Sequence, residues 1–117
     1  MTAAVVVWVL LAALAVFQIA LVAGAPLGRF AWGGGSTVLP TMLRVGSAVS
    51  VVIYAVIAWV VADAVGDGGF DLGVWILTGY FTLGVALNAA SRSRPERMVM
   101  TPVALLLAVC CLVIALA

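Results

Sequence analysis

The sequence contains no histidine and no lysine, and charged residues make up only 8% of its 117 positions. Without histidine there is no Ser/His/Asp arrangement and no Cys/His zinc spacing. A formal net charge of +1 lacks the broad basic field of nucleic-acid-binding proteins. These absences argue against an enzyme without deciding the question, and they predict no metal, no cofactor and no nucleic-acid partner.

Cysteine is also scarce, since the two cysteines, Cys110 and Cys111, are adjacent within an apolar run. Adjacent cysteines form neither a disulfide framework nor a CxxC motif. Small residues mark the places where helices approach one another in a membrane. We therefore interpret Cys111 as a packing residue on a helix face with Ala104, Ala108 and Ala115. A similar stripe is predicted for the first helix at Ala13, Phe17, Ala20 and Gly24.

Hydrophobic residues, in contrast, make up 68% of the chain, and the mean hydropathy is +1.40. Soluble domains are typically about 45–50% apolar, and a membrane-spanning helix takes about 20 residues. The apolar runs predict transmembrane helices at about residues 3–25, 40–65, 71–90 and 94–117 of a single domain, residues 1–117. The predicted fold is an all-α membrane protein, an antiparallel up-down bundle of four transmembrane helices.

The predicted helix ends and connections carry local signals. Asp71 is a typical N-cap for the third helix, and Ser93 with Glu96 forms an S-x-x-E capping box for the fourth. The second connection, residues 66–70, is short and acidic. The first, residues 26–39, is long and glycine-rich, so it is either a flexible linker or, as we expect, an ordered segment. In the ordered form its apolar side chains lie in the membrane interface: Phe30, Trp32, Val38 and Leu39.

The distribution of charge predicts the orientation. All five arginines flank the first and third connections, while Asp63, Asp67 and Asp71 lie at the opposite end. The positive-inside rule places the arginine side in the cytoplasm and both termini outside. The predicted localisation is the bacterial plasma membrane, with several passes. Cysteines introduced at Ser36 and at Gly68 should then label from the inside and from the outside, respectively.

Polar side chains within the spans concentrate toward the arginine side. At a rise of 1.5 Å per residue, Gln18, Ser50 and Asn88 lie roughly 12, 9 and 6 Å from the arginine-side boundary. Two interpretations stay open: hydrogen bonds between helices, or a pocket that opens to the cytoplasm. A cavity that reaches all three side chains would favour a ligand-binding protein, whereas a filled core would favour an interaction protein.

The arginines suggest the chemistry of a ligand. Arg44 leads the second helix, Arg92 and Arg97 lie near the start of the fourth, and guanidinium groups bind phosphate in a bidentate manner. We hypothesise that these three converge on a phosphate or carboxylate beneath Trp32, whereas the positive-inside bias alone is the alternative explanation. The complete set of candidate binding residues is Gln18, Trp32, Arg44, Ser47, Ser50, Asn88, Ser91, Arg92 and Arg97.

Two blocks of sequence carry a family resemblance. The first is GAPLGRFAWGG at residues 24–34, followed by Leu39-Pro40 and Leu43-Arg44 with Ser47 and Ser50. The second is Asn88, the run SRSRPER at residues 91–97, and Pro102. These blocks cover about a third of the chain, which resembles a family of small four-span bacterial membrane proteins of unknown function. The resemblance implies a bacterial origin and the four-span fold, but no activity.

The sequence therefore predicts an integral membrane protein that binds a small anionic molecule or a lipid head group at its cytoplasmic side. The alternative is an interaction protein or an accessory subunit of another membrane protein, with no ligand of its own. The expected partners are membrane lipids, together with another membrane protein or a second copy of the chain.

Overall fold

The computed structural model describes residues 1–67 and 70–117, apart from the side chain of Asp67. Gly68, the position predicted to label from the outside, and Gly69 lie outside the described residues. The described chain forms four α-helices, α1 (Thr2–Val22), α2 (Thr41–Asp67), α3 (Leu72–Ala89) and α4 (Arg94–Leu116). Each is long and apolar enough to cross a membrane, and the described residues contain no strand. The predicted all-α fold class is confirmed.

The helices form an elongated antiparallel bundle of 43 × 25 × 20 Å. Helix α1 packs against α2 and α4, and α3 packs mainly against α4. Helices α2 and α3 touch at few positions, although they are neighbours in the chain. The bundle is therefore well closed around α1 and α4 and loosely closed between α2 and α3.

Helix α1 ends at Val22, earlier than predicted, because a Schellman motif terminates it. The Ala25 N–H donates to the Ala20 carbonyl at 3.0 Å, and the Gly24 N–H donates to the Leu21 carbonyl at 3.1 Å. Gly24 has a φ of +96°, a left-handed conformation that glycine adopts without steric cost. The glycine, rather than the proline that follows, therefore determines where the first span stops.

The other helix ends agree closely with the predicted bounds. The Asp71 carboxylate accepts a hydrogen bond from the Val74 N–H at 3.2 Å, which confirms the predicted N-cap of α3. Helix α4 begins at Arg94 and continues through Pro102. Its predicted capping box is not formed, because the Ser93 and Glu96 side chains form hydrogen bonds with the first connection instead.

An apolar core fills the half of the bundle near the two chain termini, here called the terminal half. Val7 on α1, Val61 on α2, Val74 on α3 and Cys111 on α4 are all fully buried there. Both cysteines are free thiols, and the complete burial of Cys111 agrees with its interpretation as a packing residue. In this half, side chains from all four helices belong to one apolar cluster.

The two predicted packing stripes have different outcomes. On α4 the stripe is confirmed, because its alanines and Cys111 belong to the core or pack against it. On α1 the stripe is packed only in part, since Ala13 is exposed whereas Phe17 packs against an apolar cluster at the arginine-side end. Ala20 and Gly24 are half-buried, and the fully buried residues of the helix lie outside the stripe. The buried residues of α1 are Ala4, Val7, Leu11, Gln18 and Leu21.

The first connection is ordered across the arginine-side end of the bundle, as predicted. It forms two 3-10 turns, Gly28–Phe30 and Trp32–Gly34. The Gly28 N–H donates to the Thr37 carbonyl at 2.8 Å, and the backbone of residues 36–37 leaves no room for a Cβ at Gly28. Ala31 packs against the end of α1. Of the side chains expected in the interface, Leu39 is buried, Phe30 is half-buried, and Trp32 and Val38 are exposed.

Candidate functional site

A cavity of about 300 Å³ lies within the bundle, lined by residues of all four helices and of the first connection. Its wall includes Gln18, Ser50 and Asn88, the three polar residues that the sequence analysis singled out. The cavity extends from Asn88 and Glu96 to Tyr54 and Leu107. At 1.5 Å per residue, Tyr54 and Leu107 lie about 20 Å from the arginine-side ends of α2 and α4, respectively. The cavity thus occupies the arginine-side half of the bundle.

Several residues of the cavity wall are also exposed on the surface of the bundle. Tyr80, Leu83 and Leu87 on α3 are 49%, 59% and 65% exposed, respectively, although they line the cavity. At the arginine-side end, Phe30 and Trp32 of the first connection form part of the wall. The cavity is therefore not fully enclosed, and its opening to the cytoplasm stays a prediction.

A hydrogen bond from Gln18 joins α1 to α2 in the wall of the cavity. Its Nε2 donates to the Tyr54 hydroxyl at 3.2 Å. Its carboxamide oxygen, Oε1, is buried and has no hydrogen-bond partner among the described residues. Gln18 is only 8% exposed, although it contributes to the cavity wall.

Ser50 and Asn88 satisfy their donors within their own helices. The Ser50 hydroxyl donates to the Gly46 carbonyl at 3.0 Å, and Asn88 Nδ2 donates to the Gly84 carbonyl at 2.8 Å. The predicted hydrogen bonding between helices therefore applies to Gln18 but not to these two residues.

Trp32 and Ser47 fasten the first connection to α2. The indole Nε1 donates to the Ser47 hydroxyl at 3.0 Å, and Ser47 is fully buried. The indole ring lies so close to Gly46 that an added Cβ would be 2.9 Å from two ring carbons. Trp32 also has a φ of +54°, which is uncommon for a bulky residue. Ser47 thus positions a wall residue and does not itself line the cavity.

Glu96 binds the first connection and does not form the capping box predicted for it. Its Oε2 accepts hydrogen bonds from the Gly33 N–H at 3.1 Å and from the Ser91 hydroxyl at 2.6 Å. The Ser93 hydroxyl donates to the Arg29 carbonyl and makes no cap hydrogen bond. The capping-box prediction is wrong because backbone groups distant in sequence compete successfully for both side chains.

The three arginines proposed to converge on an anion have separate surroundings. The Arg44 guanidinium packs against Gly24 at the end of α1, and its buried Nε has no partner among the described residues. Arg97 donates to the Ser91 carbonyl at 3.0 Å, while Arg92 is exposed. None of the three lines the cavity described here. Convergence on an anion therefore stays a hypothesis about a different place.

Apart from Trp32, the aromatic residues of the wall were not among the predicted site residues. Six of the described residues that line the cavity are aromatic. A signal existed, because Tyr54, like Gln18, carries a polar group within an apolar span. The aromatic residues of the wall are Phe17, Phe30, Trp32, Tyr54, Tyr80 and Phe81.

These features define a multi-pass membrane helix bundle with a partly enclosed cavity in one half. Within the part of the chain that the structure describes, no group of three or more His, Cys, Asp or Glu side chains could hold a metal ion. No protein-family model, no curated protein and no solved structure matches the chain. The cavity and its chemistry are therefore the basis for a proposed function.

Proposed function

We propose that this protein binds a hydrophobic small molecule, which enters the cavity sideways from the membrane. The observation that carries the proposal is that one cavity reaches Gln18, Ser50 and Asn88 in the membrane-spanning part of the bundle. A cavity with a mostly apolar wall and a few polar side chains is what a small-molecule site requires.

The size and composition of the cavity support the same proposal. Small-molecule sites are typically about 300–1,000 Å³, mostly apolar, with a few polar groups that orient the ligand. The present cavity, of about 300 Å³, lies at the lower end of that range. Its wall is largely aromatic and aliphatic, with Gln18, Ser50, Asn88 and Glu96 as polar groups. A protein that only docks against another membrane protein has no need of such a cavity.

We also propose that the arginine side is cytoplasmic, in a bacterial plasma membrane, because all five arginines lie at that end. An anionic lipid head group would then meet Arg44, Arg92 and Arg97 outside the cavity. Replacing Arg44 and Arg97 by glutamine together would reduce anionic-lipid co-purification without altering ligand binding in the cavity. Unchanged lipid co-purification would mean that these arginines only set the topology.

The test is to fill the cavity and examine what remains bound. Ser50→Phe places an aromatic ring on the wall, and Val49→Phe adds the same bulk one residue away, where the side chain is exposed. Native mass spectrometry of the protein released from its membranes measures any bound small molecule. We expect a bound species in the unaltered protein and in V49F, and its loss from S50F.

Retention of the bound species in S50F would contradict the proposal, as would its absence from all three proteins. Thermal unfolding of S50F and V49F shows whether both variants keep the fold, so that loss of the ligand is not mistaken for loss of structure.

A further inference from the structure

We infer that the ligand of this cavity is a lipophilic cation, which Glu96 and the aromatic wall bind together. This inference rests on the proposed function and adds the charge and chemical class of the ligand. Three properties of the wall support it: its charge, its free hydrogen-bonding groups and its aromatic rings.

Glu96 is the one charged residue among the described residues that line the cavity. It is only 9% exposed. The nearest basic residue in the sequence, Arg97, directs its guanidinium to the Ser91 carbonyl and not to this carboxylate. A poorly hydrated carboxylate without a cationic partner attracts a positive charge strongly, because little solvent screens the interaction. An anionic ligand would be repelled from the same wall.

The polar groups of the wall leave an acceptor free for a ligand. Glu96 uses Oε2 for the connection, and no hydrogen bond to its Oε1 is formed within the described residues. Gln18, Trp32, Ser50 and Asn88 each use one donor within the protein. The Glu96 oxygen favours a ligand that carries an N–H donor or a positive charge.

The aromatic rings of the wall also attract a cation. Trp32 and Phe30 line the arginine-side end of the cavity that also contains Glu96, and Tyr54, Tyr80 and Phe17 line it further in. The face of an aromatic ring attracts a cation within about 6 Å, most strongly where water is excluded. The rings also provide the apolar surface that the body of a lipophilic ion requires.

The experiment compares three probes of matched shape on protein in nanodiscs of neutral lipid. Benzyltrimethylammonium is the cation, neopentylbenzene is its neutral isostere, and phenylmethanesulfonate is the anion. Affinity is measured for each probe after subtraction of its partition into empty nanodiscs. We expect the cation to bind about tenfold more tightly than the neutral isostere, and the anion to bind more weakly than either.

Two variants locate the preference. Glu96→Gln removes the charge but keeps a carbonyl oxygen that can accept from Gly33 and Ser91, so we expect the cation and the neutral probe to bind equally. Asp63→Asn removes one negative charge from an exposed position on α2 at the other end of the bundle, and it should leave the preference unchanged. Neopentylbenzene binding to E96Q verifies that the cavity is intact.

The possible outcomes distinguish a failure of this inference from a failure of the proposed function. If the neutral probe binds as tightly as the cation and S50F abolishes its binding, the cavity is a ligand site but the cation inference is wrong. A preference for the anion overturns the inference as well. If no probe binds, both proposals are wrong. If E96Q does not fold, the relative affinities of the three probes for the unaltered protein still test the inference.

Discussion

In the terminal half of the bundle, valine, leucine and cysteine side chains fill the space between the helices, whereas in the arginine-side half a cavity of about 300 Å³ takes that place. The two halves also differ in their side-chain hydrogen bonds. In the terminal half, the Trp8 indole donates to the Ala58 carbonyl at 3.2 Å. In the other half, side-chain hydrogen bonds connect α1, α2, α4 and the first connection.

This contrast indicates a division of roles within one small domain. Apolar packing in the terminal half holds the helices together. Within a membrane it does so through close contact, because lipid provides no hydrophobic drive for helix association. In the arginine-side half, hydrogen bonds and a small apolar cluster join the first connection to the helices, and α2 and α3 make few contacts with each other. The candidate site therefore lies beside a folded connection.

The largest expected effect concerns which half faces the cytoplasm. In a background where both native cysteines are replaced by alanine, a cysteine at Ser36 should resist a membrane-impermeant maleimide in intact cells, while one at Phe70 should react. Phe70 is 80% exposed at the end opposite the arginines. The contrast should be all-or-none, because the positive-inside bias is five arginines to none. Labelling of Ser36 alone would reverse the orientation.

The next largest effect concerns the loss of stability when a leucine is truncated in each half of the bundle. Leu11 is buried in the core, and Leu14, one turn later, is half-buried and lines the cavity. Leu11→Ala should destabilise the protein by about 2–3 kcal/mol, because it creates a new cavity in a filled region. Leu14→Ala should cost less than about 1 kcal/mol, because space is already present there. Equal losses in reversible unfolding in detergent would show that the halves are packed alike.

The smallest effect concerns the two glycines that let the connection turn. Gly33 and Gly34 have φ values of +78° and +73°, so alanine at either position carries the left-handed penalty of about 1 kcal/mol. A Cβ at Gly33 meets nothing within 4 Å, whereas a Cβ at Gly34 would collide with Ser93. Gly34→Ala should therefore lower the melting temperature and expose the connection to protease more than Gly33→Ala. The same sensitivity in both variants would refute the close contact with α4.

Helix positions and caps could be predicted because they depend on short stretches of sequence. The four spans follow from apolar runs, and the Asp71 cap follows from a residue type at a helix start. The candidate residues Gln18, Ser50, Asn88 and Trp32 were found for the same reason, since polar or aromatic groups in an apolar chain are conspicuous. Glu96 was misassigned, because a local motif explained it and its actual partner, the Gly33 N–H, lies 63 residues away.

Composition and the order of residues were enough to predict a membrane-spanning bundle, the number of its helices and the end that carries the positive charge. These properties depend on the length of apolar runs and on the position of charges along the chain, and both are local quantities. The separation of α2 from α3, the fold of the connection over Glu96 and the unpartnered oxygen of Gln18 are of another kind. They depend on which side chains meet across helices, and that is determined only when all the helices pack together.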